Sequence, residues 1–245
     1  MYHCWACRSS GTVRGFLNEV CNITTHVPVH MDEDDSRFGS YSEQFADYKD
    51  VEAVPVLEGP EGALRFLERR RLVADDYFRF DIRYTSTPGR LQNRILFPVR
   101  EYFSQSLFGF MGRRWRSKDG PPWMASFSTP LIHGYRLHAS RIHVLVEGLF
   151  DAVQVYKTGL CNAACMLGTS KLNIVEQWAC RVGKDELIVL LLDGDAMEKA
   201  EKLMWKLKPV HENTKMFALP QHLDPGDLEP SALARVVHTI SQKEA

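Results

Sequence analysis

The chain has 245 residues, 44% of them hydrophobic and 25% charged, enough for one large domain or one domain with a small module. This composition excludes a disordered chain, collagen and a coiled coil, and the longest unbroken aliphatic run, Leu187 to Leu192, falls far short of the ~20 residues of a membrane span. A net charge of −1 conceals an acidic stretch over 31–64, ten acidic against two basic residues, and a basic one over 65–118, thirteen basic against five acidic. The basic stretch is the kind of surface that binds nucleic-acid phosphates, although an Arg-rich solvated face has the same composition. In chain order, residues 1–20 hold Cys4-x-x-Cys7, Gly11 and a short apolar run; residues 21–60 are acidic, rich in proline and read as a linker. Residues 61–139 are basic and mixed. Residues 140–235 alternate strand and helix signals, and 236–245 read as a tail. The opening MYHCWACRSS has no apolar h-region and reads as no secretory signal. Six cysteines in so long a chain predict a reduced, cytoplasmic setting.

The alternation sets the fold class. Strands are expected at Ile142–Val146, Ala163–Leu167, Leu187–Leu192 and Met216–Leu219. Helices are expected at Leu149–Tyr156, Leu172–Val182 and Ala196–Leu207. That order predicts an α/β fold: a mostly parallel sheet with right-handed crossovers and helices on both faces. Cys161, Cys165 and Cys180 read as small buried core residues.

Two of these strands end in acid. Glu147 follows Val146, and Asp193 and Asp195 follow Leu192. Open parallel sheets bind ligands outside the carboxyl ends of their strands. Asp151 lies one helical turn past Glu147, and Asp224 and Asp227 sit where a loop could close the same cleft. Crowded carboxylates resist ionising together, and a hard divalent cation such as Mg²⁺ relieves them. Such a cation serves phosphoryl transfer, and Glu147, set apart from the Asp pair, suits a proton-transfer role. Each motif alone also reads as an ordinary turn, with Asp195 capping the next helix. Their joint placement is what points to chemistry.

HVLVEGLFDAVQVYKTG, ACMLGTSKL and LIVLLLDGDAMEKAEKL resemble the Toprim domain, with Glu-Gly-x-x-Asp after the first strand and Asp-x-Asp after the third. The resemblance implies Glu147 as acid/base, Asp193 and Asp195 as metal carboxylates, Asp151 as a second-row acid and Asp224 in the closing loop. RILFPVREYFSQSLFGFMGRRW is similar to the stretch before the Toprim domain of DnaG-type primases, matching at Arg94, Phe97, Pro98, Gly109, Phe110, Gly112 and Arg113. ALRFLERRRLVADDYFRFDIRY resembles the opening of the same core, LPQHLDPGDL its last loop, and MYHCWACRSSGTVRGFL the second half of a primase zinc ribbon. The chain is thus identified as resembling a phage or bacterial DnaG-type DNA primase. Its parts would be a partial ribbon (1–20), linker (21–60), basic subdomain of smaller α+β type (61–139), Toprim domain (140–235) and tail (236–245).

The resemblance implies Mg²⁺- or Mn²⁺-dependent synthesis of RNA primers from ribonucleoside triphosphates on single-stranded DNA. It places the protein in the cytoplasm (a host's, if phage-encoded), with no membrane and with a separate replicative helicase as partner, since no fused helicase follows. Arg94, Arg113, Arg114, Arg116 and Lys118 would meet nucleotide or template, with Trp115 open to stacking. Cys4 and Cys7 would hold Zn²⁺ if the ribbon were completed, since tetrahedral closure needs four ligands. The family's upstream ligand pair would lie before Met1, which leaves a truncated, split or degenerate ribbon open. The sequence departs from the family elsewhere too. PPWMASFST lacks the usual Lys, Leu223 stands where a Lys precedes Asp-Pro, and Gly226 shifts the loop's second acid to Asp227. Two other readings remain: a Toprim nuclease using the same carboxylates, and a non-catalytic zinc-and-Toprim recombination protein.

Overall fold

The structure, a computed structural model, describes residues 2–3, 10–11, 51–117, 120–128, 130–137, 139–168 and 172–242. Cys4, Cys7 and Lys118 lie outside the described residues. Two short strands near the start, β1 (Tyr2–His3) and β2 (Ser10–Gly11), pair antiparallel.

The chain divides into two compact units, one over 32–129 and one built from 1–31 and 130–245. The 32–129 unit carries an antiparallel five-stranded sheet in the order β3-β4-β5-β6-β7. Its strands are β3 (Val54–Pro55), β4 (Arg83–Thr85), β5 (Arg94–Arg100), β6 (Leu107–Arg114) and β7 (Trp123–Ala125). Helices α1 (Glu61–Arg69) and α2 (Ala74–Arg79) connect β3 to β4. The longest pairing runs from Arg94 opposite Arg114 to Arg100 opposite Leu107. β5 is buried along nearly its whole length, which explains why RILFPV reads as a continuous apolar run rather than an alternating one.

The other unit holds the predicted alternation. Its strands are β8 (His133–Tyr135), β9 (Ile142–Val146), β10 (Asn162–Cys165), β11 (Leu187–Leu190) and β12 (Thr214–Met216). Its helices are α3 (Leu149–Lys157), α4 (Leu172–Arg181), α5 (Met197–Leu207) and α6 (Pro230–Gln242). The strand order is β12-β11-β9-β10-β8, parallel throughout except for β8, which pairs antiparallel with β10. From β9 the chain steps through α3 to β10 on one side; from β11 it steps through α5 to β12 on the other. Right-handed crossovers in opposite directions put the helices on opposite faces and open a crevice between the carboxyl ends of β9 and β11.

Burial accounts for the central strands. All four residues of β11 are buried, as are Val144, Leu145 and Val146 of β9, so these strands are apolar on both faces. β10 takes small residues, Asn162 to Cys165, also all buried. Asn162 donates its Nδ2 to Ser140 O at 2.9 Å and accepts the Leu137 N–H at 2.7 Å, so its burial leaves no amide unmet. Cys161 and Cys165 lie in the core as expected, but Cys180 is exposed. Helix α4 turns Val175, Trp178 and Ala179 inward, which sends Cys180 outward. The last predicted strand is centred two to three residues earlier, at Thr214–Met216. Edge strand β8 and helix α6 add to the predicted order. Among the described residues no helix is long and apolar enough to cross a membrane.

Candidate active site

The register that pairs Leu190 with Leu145 continues in the Leu191 N–H donating to Leu145 O at 3.0 Å. Glu147 therefore leaves β9 level with the exit of β11, where Asp193 follows one residue beyond. A small cleft lined by Leu192, Asp193, Gly194, Met197, Phe217 and Leu219 opens beside this point. Behind Glu147 the chain is held by Cys165, whose buried Sγ–H donates to Glu147 O at 3.4 Å. After β10 the backbone turns through Leu167 and Gly168, both at positive φ (50° and 73°), where glycine relieves the steric strain at the second position.

Gly148 caps α3, and Asp151 in its first turn accepts the Gly148 N–H at 3.0 Å on Oδ2. Its Oδ1 accepts the Gly226 N–H at 3.1 Å. Asp151 thus ties the start of α3 to the loop after β12. In that loop Asp224 accepts the Asp227 N–H at 2.8 Å and caps the turn Pro225–Asp227. Gly226 has no room for a side chain: a Cβ would sit 2.9 Å from Asp151 Oδ1 and 3.2 Å from Asp224 Oδ1. The Asp193–Asp195 turn meets the same loop, with the Gly194 N–H donating to Leu223 O at 2.8 Å.

The acids crowd one another. The Asp151 carboxyl is pushed up to about 7, by burial first and then by Asp224 and Asp193, against the Gly226 and Gly148 N–H groups, which hold it down. Asp193 is raised to about 6, by burial first and then by Glu147, Asp224 and Asp195, while Lys199 opposes. Glu147 Oε2 accepts from Lys199 Nζ at 2.7 Å. Its Oε1, and Asp193 Oδ1, are buried with no hydrogen-bond partner among the described residues. Asp195 stands exposed at the rim.

Two buried carboxylate oxygens without donors, on acids whose charges repel, fit a hard cation with oxygen ligands. Among the described residues no three His, Cys, Asp or Glu side chains close into a ready-made cage. An open site that leaves the ion several waters is the arrangement Mg²⁺ favours. The residues whose free oxygens could hold it are Glu147 and Asp193. The sequence reading missed Lys199 and gave Gly194 and Gly226 no packing role. The glycines do their work by close backbone approach, which one sequence does not display.

The basic residues of the 32–129 unit separate into two groups. Arg94 was expected at a phosphate, but it is 2% exposed, with its Nη1 donating to Gly112 O at 3.2 Å and Pro121 O at 2.9 Å. Alternation along β6 places it against Gly112, where a Cβ would lie 2.9 Å from its Cδ. Its role here is to hold the sheet. Arg113 points to the opposite face. Its guanidinium lies 5.3 Å from the Phe66 ring and 5.2 Å from the Trp123 ring, and its Nε is buried without a partner among the described residues. Burial, then Arg70, Arg114 and Arg94, lowers its pKa from the ordinary Arg value. Arg114 donates to Ser117 O at 2.9 Å and to Gly120 O. Trp115 packs on Gly62 of α1, where a Cβ would sit 2.3 Å from its ring, with Arg116 Cζ 4.0 Å from the ring centroid. Trp115 is therefore an anchor.

The fold matches that of DnaG primase catalytic cores. The chain superposes on the zinc-binding and RNA polymerase domains of the Aquifex aeolicus primase with a TM-score of 0.62 at 17% identity, over 75% of this chain and 57% of that one. It superposes on a DnaG primase catalytic domain bound to ssDNA with a TM-score of 0.62 at 21% identity, over 76% of this chain and 73% of that one. In sequence it is 28% identical over 152 residues to the DNA primase of Halalkalibacterium halodurans, covering 56% of this chain and 24% of that protein. It is 24% identical over 250 residues to the DNA primase of Deinococcus radiodurans, covering 79% of this chain and 43% of that protein. The chain thus spans about a quarter to under half the length of these relatives. No family model matches the chain.

Proposed function

We propose that this chain is a primase RNA polymerase core, joining ribonucleotides on a single-stranded DNA template. One observation carries the reading. In the fold of a primase catalytic core, Glu147 and Asp193 leave adjacent central strands with buried, unpartnered carboxylate oxygens. Mg²⁺ or Mn²⁺, when bound, would supply charge neutralisation at the triphosphate and polarise the attacking oxygen. Asp193 and Asp195 of the Toprim-type turn, with Glu147, would hold the ion. Glu147, facing the same site, would also serve as the acid/base group for the attacking hydroxyl. Asp151 positions the Asp224 loop through the Gly226 N–H. Arg113, whose planar guanidinium fork suits a phosphate, is the phosphate contact of the basic sheet. The DnaG domain seen with single-stranded DNA supports the choice of template. A separate helicase and a Zn²⁺ ion at Cys4 and Cys7 belong to the same reading as expectations from the family.

Two predictions test the parts. Arg113→Ala is expected to weaken single-stranded DNA binding or raise the nucleotide KM about tenfold, and to lower the salt slope of binding by about one if the contact is to template phosphate. Arg94→Ala is expected instead to lose about 2–4 kcal/mol of stability, because carbonyls it serves in the core lose their donor. Thermal unfolding and filter binding in a salt series separate the two.

The pH dependence has a defined sign. Asp193 at about 6 and Asp151 at about 7 keep protons that the unfolded chain gives up near pH 4. Their contribution to metal-free stability is therefore present below about pH 4 and is lost as pH rises through 7. A divalent ion competes with those protons, so its affinity is expected to fall as pH drops from 7 to 6, with proton release on binding at pH 6.5 and almost none at pH 8. Calorimetry in buffers of different ionisation enthalpy measures this directly.

The functional test is labelled ribonucleotide incorporation on single-stranded DNA with Mg²⁺, run beside DNA cleavage under the same conditions. Templated RNA without cleavage supports the proposal. Cleavage without incorporation would replace it with the nuclease reading.

A further inference from the structure

Lys199 is the third residue of α5, and its ammonium lies 2.7 Å from Glu147 Oε2. The Lys199 and Glu147 side chains are only 31% and 20% exposed, so the pair is screened less than a surface bridge. Lys199 also acts electrostatically on Asp193. The chain thus inserts one cation of its own among these carboxylates. It satisfies one oxygen of Glu147 and leaves Glu147 Oε1 and Asp193 Oδ1 without partners among the described residues. A lysine ammonium is a point charge on a flexible stem, able to hold an oxygen and to withdraw from it. A divalent ion drawn to the same oxygens meets it as a like charge.

We infer that Lys199 is an internal counter-cation: it holds Glu147 in place in the metal-free site and competes with the divalent ion, and so sets the site's metal affinity. This rests on the metal site proposed above. Lys199 is a positioning residue, acting through Glu147. Because coupling is reciprocal, the bound ion weakens the Lys199–Glu147 pair by the same factor by which Lys199 weakens the ion.

The test titrates Mn²⁺ into the full chain and follows free Mn²⁺ by electron paramagnetic resonance, for the parent, Lys199→Met, Lys199→Gln and Lys199→Arg. Removing the charge is expected to tighten Mn²⁺ binding about tenfold in the Met and Gln variants. Lys199→Arg, which keeps the charge, is expected to bind like the parent. Without metal the Met variant is expected to unfold at a lower temperature, and to gain more from added Mn²⁺ than the parent does. Unchanged or weaker Mn²⁺ affinity in the folded Met and Gln variants would overturn the inference and leave the metal site standing. A parent that binds no Mn²⁺ would overturn the metal-site reading itself, and the inference with it.

Discussion

Glu147→Gln is expected to lower templated ribonucleotide incorporation by about 10²–10⁴-fold, the range associated with a positioned acid or base. The substitution keeps the shape of the side chain and removes its charge. Glu147 Oε1 is buried without a partner among the described residues, so that oxygen is free to accept a proton or face a cation; an amide oxygen is too weak a base for the first and brings no negative charge to the second. The fold should survive. The side chain's one described ion pair, to Lys199, is partly exposed, and removing one acid relieves the repulsion that raises Asp193. Incorporation rates together with thermal unfolding distinguish this from a folding defect. A Gln variant with parental activity would remove Glu147 from the chemistry.

Gly194→Ala is expected to be nearly as damaging by a different route. A Cβ at position 194 would stand 2.0 Å from the Pro220 carbonyl oxygen and 2.7 Å from its carbon. Those are backbone atoms, so no side-chain rotation relieves the clash. The Asp193–Asp195 turn must separate from the loop that carries Asp224, breaking the 2.8 Å bond from the Gly194 N–H to Leu223 O. About 1–3 kcal/mol of stability should be lost by overpacking. Activity should fall by about 10²-fold, because displacing acids by roughly 1 Å is enough for that. Unfolding temperature and Mg²⁺-dependent incorporation check the two effects separately.

How much of this was legible depends on how each residue announces itself. The parallel strands β9 and β11 were readable because burial on both faces demands continuous apolar runs, and Ile142–Val146 was placed to the residue. Leu191 and Leu192 read as strand but lie past the end of β11, buried where the chain turns toward Asp193. β8 was illegible: three residues, His-Gly-Tyr, carry no periodicity, and only pairing with β10 makes them a strand. α6 opens with proline at its first position, a sound start signal, but it follows a loop and was read as part domain end, part tail. The antiparallel sheet of the 32–129 unit was hidden because β5 is buried on both faces and so does not alternate.

The acids were legible because they end apolar strands. Lys199 was not, since a lysine near the start of a helix looks like any solvated residue. Arg94 shows the opposite case: the resemblance set it at nucleotide or template, but it pairs with Arg114 in a buried strand and packs its stem against Gly112 in the core.

The central claim is that Glu147 and Asp193 share a divalent cation. Crystals of the protein soaked in Mn²⁺ and measured for anomalous scattering test it most directly. The account predicts a peak at the carboxyl ends of β9 and β11, beside Glu147 and Asp193, and absent from Asp193→Asn crystals. A protein active with Mn²⁺ whose anomalous peak lies elsewhere would contradict it.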